Sequence, residues 1–343
     1  MIDLDNLVRK NVRSLTPYSC ARDEFQGKEG IFLDANENPF GSLNRYPDPY
    51  QKELKAVISR IKNIAEEKIF PGNGSDEIID LCYRVFCDPG IDKALTFSPS
   101  YGMYEVAAEV NDIQIIRIPL NEFFRIEYDK VTPWLSDKNL KLILICSPNN
   151  PTGNCQDKNV LEKIISSFKG IVLLDEAYID FAGKPSFKDL IDDYPNLIVM
   201  QTLSKAFGMA SVRVGMAFAN PDILYYFNKM KAPYNISTVN QETVIDRLSD
   251  LSVYRKEVTT IIEERTRLSS ELEKLPVTLK VYPSDANFIL AKFSDASKVY
   301  NYLADNGIIV RNRSSAVSNC LRITIGTRSE NNELLKALKS FQI

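Results

Sequence analysis

The chain has 343 residues with 44% hydrophobic and 25% charged side chains, ordinary values for a globular protein, and its length suggests one large domain with a smaller companion. A formal charge of -3 and the lack of a long basic run argue against nucleic acid or an anionic membrane as the main partner. The chain contains 0 histidines, which excludes Ser-His-Asp and Cys-His catalysis and every His-ligated metal site, so no metal is expected.

The acidic start Met1-Ile-Asp-Leu-Asp5 carries no apolar core of a signal peptide. No apolar run approaches the ~18 residues of a membrane span, so a cytoplasmic location is expected. Residues 1–29 read as a polar N-terminal arm, expected to pack with the small domain. Cys20, Cys82, Cys87, Cys146, Cys155 and Cys320 form no CxxC pair and are expected as reduced thiols.

The spacing of Leu54, Val57, Ile58, Ile61 and Ile64 predicts a helix from Tyr50 to about Glu66. Strands are then predicted at Ala94–Phe97, Ile113–Ile118, Lys141–Cys146, Ile171–Leu174, Leu197–Gln201 and Val214–Ala219. Helices fall at Ser75–Phe86, Tyr101–Val110 and Asp157–Phe168. Strands that are apolar at every position suit a mainly parallel sheet with helices on both faces, an α/β fold. This large domain is expected over residues 30–235. From 236 to 343 the pattern becomes one or two long helices (Val239 to about Leu275). Short strands follow at Val277–Val281, Asn287–Lys292, Ile308–Val310 and Leu321–Ile325, with helices at Ala296–Asn306 and the C-terminus. This suggests a smaller α+β domain.

In an open α/β sheet, ligands bind beyond the carboxyl ends of the strands. Four segments there carry polar residues. Pro71-Gly-Asn-Gly-Ser75-Asp76 opens a helix whose free N–H groups favour an anion. Asp175 follows a buried strand, where a carboxylate needs a cation. Lys205 lies just past another strand among apolar residues, where desolvation makes an amine nucleophilic. Asn150 sits in the Pro-bounded turn Ser147-Pro-Asn-Asn-Pro-Thr-Gly153. Arg213 and Arg322 complete an inventory of amine, acid, phosphate cup and carboxylate-binding guanidinium, which matches pyridoxal-phosphate chemistry.

The sequence resembles the fold-type-I, class II pyridoxal-phosphate aminotransferases over nearly its whole length, and among them the histidinol-phosphate aminotransferases. The resemblance rests on Asp34-Ala-Asn-Glu-Asn-Pro-Phe40, Arg45-Tyr-Pro-Asp48, Gly72–Glu77, Pro99-Ser-Tyr-Gly-Met-Tyr104, Ser147–Gly153, Asp175-Glu-Ala-Tyr178, Ser204-Lys-Ala-Phe-Gly208 with Arg213, and Leu321-Arg-Ile-Thr-Ile-Gly326.

It implies a large domain built on a mainly parallel seven-stranded sheet, a smaller α+β domain, and a homodimer that binds pyridoxal 5'-phosphate. It also implies that Lys205 holds the cofactor covalently and carries the transferred proton. Asp175 would pair with the ring nitrogen, Tyr178 and Asn150 would hold the phenolic oxygen, and Tyr101 would stack on the ring. Ser75, Asp76, Ser204 and Arg213 would surround the cofactor phosphate, with Tyr46 arriving from the partner subunit. Arg322 would take the carboxylate of glutamate or 2-oxoglutarate. Tyr18 and Arg311 would meet the phosphate of histidinol phosphate with Asn287 nearby, and Arg313 is the alternative phosphate arginine. The implied activity is amino transfer between glutamate and imidazole-acetol phosphate in histidine biosynthesis. Aromatic amino acid aminotransferases and a threonine-phosphate decarboxylase share the cofactor residues and differ in substrate contacts. A non-catalytic binding or regulatory protein is the alternative of another class, and Lys205 and Asp175 argue against it.

Overall fold

The computed structural model describes residues 3–19 and 30–341. Its centre is a seven-stranded sheet made of β1 (Ile69–Asn73), β2 (Lys93–Ser98), β3 (Gln114–Pro119), β4 (Leu140–Cys146), β5 (Ile171–Asp175), β6 (Leu197–Thr202) and β7 (Val214–Phe218). The strand order is β1-β7-β6-β5-β4-β2-β3. Neighbours from β3 to β6 run parallel, and β7 runs antiparallel to both β6 and β1.

The all-apolar strands are explained by this arrangement. Along β4 and β5, Ile143 and Leu174 enter the core on one face, while Leu144 and Leu173 enter the core on the other. Both faces are covered, so alternation with polar residues disappears. Helices Ser75–Phe86, Met103–Val110 and Lys158–Ser167 lie at or near their predicted positions. The last starts where Asp157 accepts the N–H groups of Asn159 and Val160. Strand β1 and helix Pro221–Met230 have no counterpart in the sequence reading. Pro71 and Gly72 disguise β1, but it is an edge strand, where a residue without an N–H is tolerated.

The second sheet is four-stranded and antiparallel, in the order β10-β11-β9-β8, from β8 (Thr278–Val281), β9 (Phe288–Phe293), β10 (Arg311–Asn312) and β11 (Cys320–Thr324). Its own core includes Leu268, Leu272, Ile289, Phe293, Leu303, Leu321 and Leu335. Ile236, Val244, Leu248 and Val258 instead pack into the core of the large sheet. Helix Thr238–Arg247 and the first half of helix Ser252–Glu273 therefore belong with the large unit by packing, and the change of core falls later than residue 236.

The described part of the arm differs from expectation. Val8 and Val12 are buried in the large-sheet core, and Arg9 pairs with Asp88 at 3.1 Å. The apolar face of these residues fits helices Ser75–Phe86 and Pro221–Met230, so the described residues 3–19 pack on the large unit and not on the small one. Cys20 and the rest of the arm through Glu29 lie outside the described residues; the other cysteines are free thiols.

Gly153 joins the two units. Its φ is +86°, its carbonyl accepts the N–H of Asp285 at 2.7 Å, and an added Cβ would lie 3.2 Å from Ser284 Cα with the serine side chain closer still. Gly153→Ala combines strain at positive φ with a steric conflict. It should lower stability by roughly 1–3 kcal/mol, read as a fall in chemical-denaturation midpoint.

Candidate active site

The turns after β4, β5 and β6 meet the start of helix Ser75–Phe86 around a cavity of about 220 Å³. Ser75, Asp76, Tyr101, Asn150, Asp175, Tyr178, Ser204, Lys205, Arg213 and Arg322 all line it. These residues come from both cores of the sequence, and the sheet brings them to one end.

Asp175 is the last residue of β5 and is 3% exposed. It accepts the Tyr104 hydroxyl proton at 2.7 Å and the Ala177 N–H at 2.9 Å. Burial pushes its carboxyl up to about 6, against the pull of these two hydrogen bonds and of the Lys205 charge. Lys205 lies above the Tyr178 ring, 5.8 Å from its centroid. Desolvation holds its amine below the usual lysine range, the Arg322 charge adds to this, Asp175 opposes it, and Arg213 contributes less. Arg322 thus outweighs Arg213 in lowering the proton affinity of this lysine.

Tyr178 is held edge-on to Phe288, with ring centroids 5.1 Å apart. Burial raises its hydroxyl, with Cys146 and Asp175 adding to the shift. The Asn150 amide donates to the Tyr178 hydroxyl at 3.3 Å, and its carbonyl oxygen accepts from Arg322 Nη1 at 2.6 Å. One asparagine therefore links the large sheet to β11.

The cup at the helix start depends on two glycines. Gly74 has φ +75°, and an added Cβ would lie 2.6 Å from Arg213 Nη2. A Cβ on Gly215 would lie 2.6 Å from the Ser75 N. Asp76 accepts from Arg213 Nη2 at 3.2 Å and from the Tyr101 hydroxyl at 3.4 Å. Its carboxylate thereby orients the cation and the aromatic ring, while the first turn, which has no side-chain cap, leaves its N–H groups available to an anion. The Tyr101 hydroxyl is pushed up to about 12 by burial, then by the Asp76 charge.

Tyr46, Tyr18, Asn287, Arg311 and the alternative Arg313 do not line this cavity. Tyr46 stacks on Tyr234 with centroids 4.4 Å apart and lines a separate hollow with Asn36 and Arg45. Tyr18 is 70% exposed, beside Pro49, Tyr225 and Lys229, because the arm runs over the large unit. The Asn287 backbone oxygen accepts the Ile325 N–H at 2.9 Å and ties β9 to the end of β11. Arg311 stands directly across from Arg322 in the small sheet.

The sequence reading missed Tyr104, Thr202, Cys146, Ala177 and Ala210. Tyr104 is fully buried and supplies the hydroxyl on Asp175, and its backbone oxygen accepts from Tyr83 at 2.8 Å. Its position at the end of the Pro99–Tyr104 motif was the available signal. The other four line the cavity, and Cys146 and Thr202 are the terminal residues of β4 and β6.

The raised carboxyl of Asp175 has a definite sign for stability. Protonation favours the ligand-free fold, with the full contribution below about pH 4 and its loss as pH rises through about 6. Glu176, pushed up to about 7 by burial, adds a trend of the same sign. Asp175→Asn should remove only the Asp175 share, roughly 2–3 kcal/mol between pH 4 and pH 8, from the pH dependence of the ligand-free protein in denaturant titrations.

The sequence model of the aminotransferase class I and II family matches residues 22–338. A histidinol-phosphate aminotransferase of Cytophaga hutchinsonii is 49% identical over 345 aligned residues, covering 98% of this chain and 99% of that protein. The solved histidinol-phosphate aminotransferase of Clostridium acetobutylicum aligns with a TM-score of 0.80 at 27% identity over 87% of this chain and 90% of that one. The Sinorhizobium meliloti histidinol-phosphate aminotransferase, solved with pyridoxal-5'-phosphate, shares the fold with a TM-score of 0.77 at 23% identity, covering 89% of each chain. Helix, strand and cavity thus sit in a known frame, and the chain belongs to the class I and II aminotransferases and, within them, to the histidinol-phosphate aminotransferases.

Proposed function

We propose that the protein moves an amino group between glutamate and imidazole-acetol phosphate, yielding 2-oxoglutarate and L-histidinol phosphate, in cytoplasmic histidine biosynthesis. The observation that carries this reading is the convergence of the Lys205 amine, the buried Asp175 carboxylate and the Arg322 guanidinium on one cavity.

The donor set fits pyridoxal 5'-phosphate. A buried acid faces the cavity, an anion cup of Ser75, Ser204 and Arg213 lines it, and an accessible amine stands over the Tyr178 ring. Bound there, the cofactor supplies an aldehyde and an electron-withdrawing ring that stabilises negative charge at the substrate α-carbon.

The chain's own groups do the rest. Asp175, ionised at neutral pH, would hold a proton on the ring nitrogen. The Asn150 amide and the Tyr178 hydroxyl would donate to the phenolic oxygen, and Tyr101 would cover the ring face. Asp76 fixes Arg213 and Tyr101 instead of touching the phosphate with its carboxylate. The lowered proton affinity of Lys205 Nζ favours the neutral amine, the form needed to take a proton from the substrate α-carbon. Arg322 would exchange its bond to Asn150 for the substrate carboxylate.

A homodimer accounts for the exposed segment before Tyr46. Ile31, Leu33 and Phe40 are 90%, 89% and 81% exposed, and Leu43 is also exposed. A second copy would cover this apolar surface and bring its Tyr46 to the phosphate cup.

The test is a titration of cofactor absorbance with histidinol phosphate, glutamate and phenylalanine in turn. Histidinol phosphate and glutamate should each convert the cofactor to its amine form. Conversion by phenylalanine but not histidinol phosphate would contradict the reading. Borohydride reduction should attach the cofactor to the Lys205 peptide, and Lys205→Ala should abolish turnover while retaining the far-ultraviolet spectrum of the fold. Arg322→Ala should raise KM for glutamate by about tenfold or more, the consequence of losing a charged bidentate contact.

A further inference from the structure

Behind the wall that carries Asp175 and Thr202, the adjoining residues Glu176 and Gln201 form a second polar cluster. Side chains alternate between the two faces of a strand, so these two leave the sheet on the side away from the cavity. The Glu176 N–H continues the ladder to the Met200 carbonyl at 2.8 Å, and the residue is 1% exposed. Its carboxylate gathers donors from two other segments. Oε1 accepts the Phe187 N–H at 2.8 Å, and Oε2 accepts the Ser186 hydroxyl and the Gln201 amide, the latter at 2.9 Å. A neutral group of this shape does not replace it. An amide, or the protonated acid, turns one of the two acceptor positions into a donor, and a buried donor opposite then loses its partner.

Gln201 shows the same constraint from its own side. Its Nε2 donates to Glu176 and to the Ser186 hydroxyl oxygen at 3.1 Å, which leaves Oε1 buried without a partner. Turning the amide over would satisfy Oε1 only if Glu176 offered a proton; against a carboxylate it would bring two acceptors together. The cluster therefore has two arrangements, and the charge on Glu176 selects between them.

This charge changes near neutral pH. Burial raises the Glu176 carboxyl to about 7, while the bonds from Ser186, Phe187 and Gln201, and then the Lys62 charge, pull it down. Lys62, on helix Lys52–Lys62, is paired with Asp180 at 3.2 Å, and Asp180 also accepts the Tyr254 hydroxyl proton at 2.9 Å. A hollow of about 320 Å³ reaches Ser186 and Gln201; Lys184 and Lys188 on its wall are paired with Asp285 and Asp189. Asp175 faces the other cavity.

Both strand ends lead directly to the reacting groups. Asp175 precedes Glu176, and its backbone carbonyl accepts the Ser147 N–H at 2.9 Å. Gln201 precedes Thr202, whose hydroxyl accepts the Ser204 N–H at 3.1 Å immediately before Lys205.

We propose that Glu176 is a positioning residue for the amino-group transfer proposed above, on which this assignment rests: from behind the sheet its carboxylate holds the ends of β5 and β6 and so sets Asp175 and Lys205 in place.

The experiment compares wild-type holoenzyme with Glu176→Gln and Ser186→Ala in turnover of glutamate. At about pH 8, Glu176→Gln should lower kcat about tenfold while KM for glutamate stays within about twofold. The carboxylate is present above about pH 7 and lost below it, so the ratio of wild-type to Glu176→Gln kcat should fall towards one as pH is lowered to about 6. Groups that titrate in both proteins cancel from this ratio. Ser186→Ala removes a donor that favours the carboxylate, so the acidic midpoint of its kcat should lie about one pH unit above that of wild type. A second readout needs no turnover. In the cofactor-free protein, hydrogen exchange in segments 174–178 and 201–206 should quicken by roughly threefold or more in Glu176→Gln, with the rest of the molecule unchanged.

A kcat ratio independent of pH, a rise in KM alone, or exchange that quickens throughout the molecule would mark Glu176 as merely structural and overturn the proposal. If Glu176→Gln fails to hold the cofactor, Ser186→Ala decides, and an acidic midpoint equal to that of wild type overturns it. If wild type itself leaves glutamate unreacted, the function and this assignment fail together.

Discussion

A carboxylate buried at the end of a central parallel strand is the constraint on which the site depends. Asp175 is carried out of solvent by β5, whose residues are buried on both faces. The Tyr104 hydroxyl and the Ala177 N–H stabilise its charge only in part, since the carboxyl remains raised to about 6. A neighbouring cation would complete the compensation. The same cavity carries the Lys205 amine and the Arg213 and Arg322 guanidiniums on its other walls, with Asp76 paired to Arg213. A ligand that is cationic at one end and anionic at its periphery answers both demands, and this complementarity links the fold to amino-group transfer.

The mixed sheet makes the arrangement possible. Parallel strands β4, β5 and β6 end side by side, so Cys146, Asp175 and Thr202 are brought to one rim although far apart in the chain. Antiparallel β7 then returns beside β6, and Gly215 lets it lie against the start of helix Ser75–Phe86. The small sheet enters through Arg322, bonded to Asn150, and through Asp285, bonded to Gly153 and to the Cys155 N–H at 2.8 Å. The turn 147–155 is therefore both a wall of the cavity and the joint between the units.

Much of this was legible in the sequence because burial on both faces leaves a mark that does not depend on tertiary detail. Runs such as Leu142–Ile145 and Ile171–Leu174 read as central strands, and the polar residues directly after them were candidates for chemistry. What was not legible depended on packing between distant segments. Pro71-Gly72 resembled a loop until the edge position of β1 explained it. Val244 and Val258 have helical spacing whichever sheet they cover, so the change of core could not be located from periodicity. Tyr104 closes the Pro99–Tyr104 motif, but its role on Asp175 depends on packing between segments 71 residues apart. Tyr46 illustrates a different limit, since a residue whose proposed role is in a neighbouring subunit lies outside the cavity of its own chain.

The central claim is that Asp175 is a buried acid made for a cationic ring. Its most direct test is an infrared difference spectrum, cofactor-bound minus cofactor-free, recorded near pH 6, where the free carboxyl is close to half protonated. The account predicts that binding removes a protonated-carboxyl band, and that this change is missing in Asp175→Asn. A difference spectrum identical in wild type and variant would contradict it.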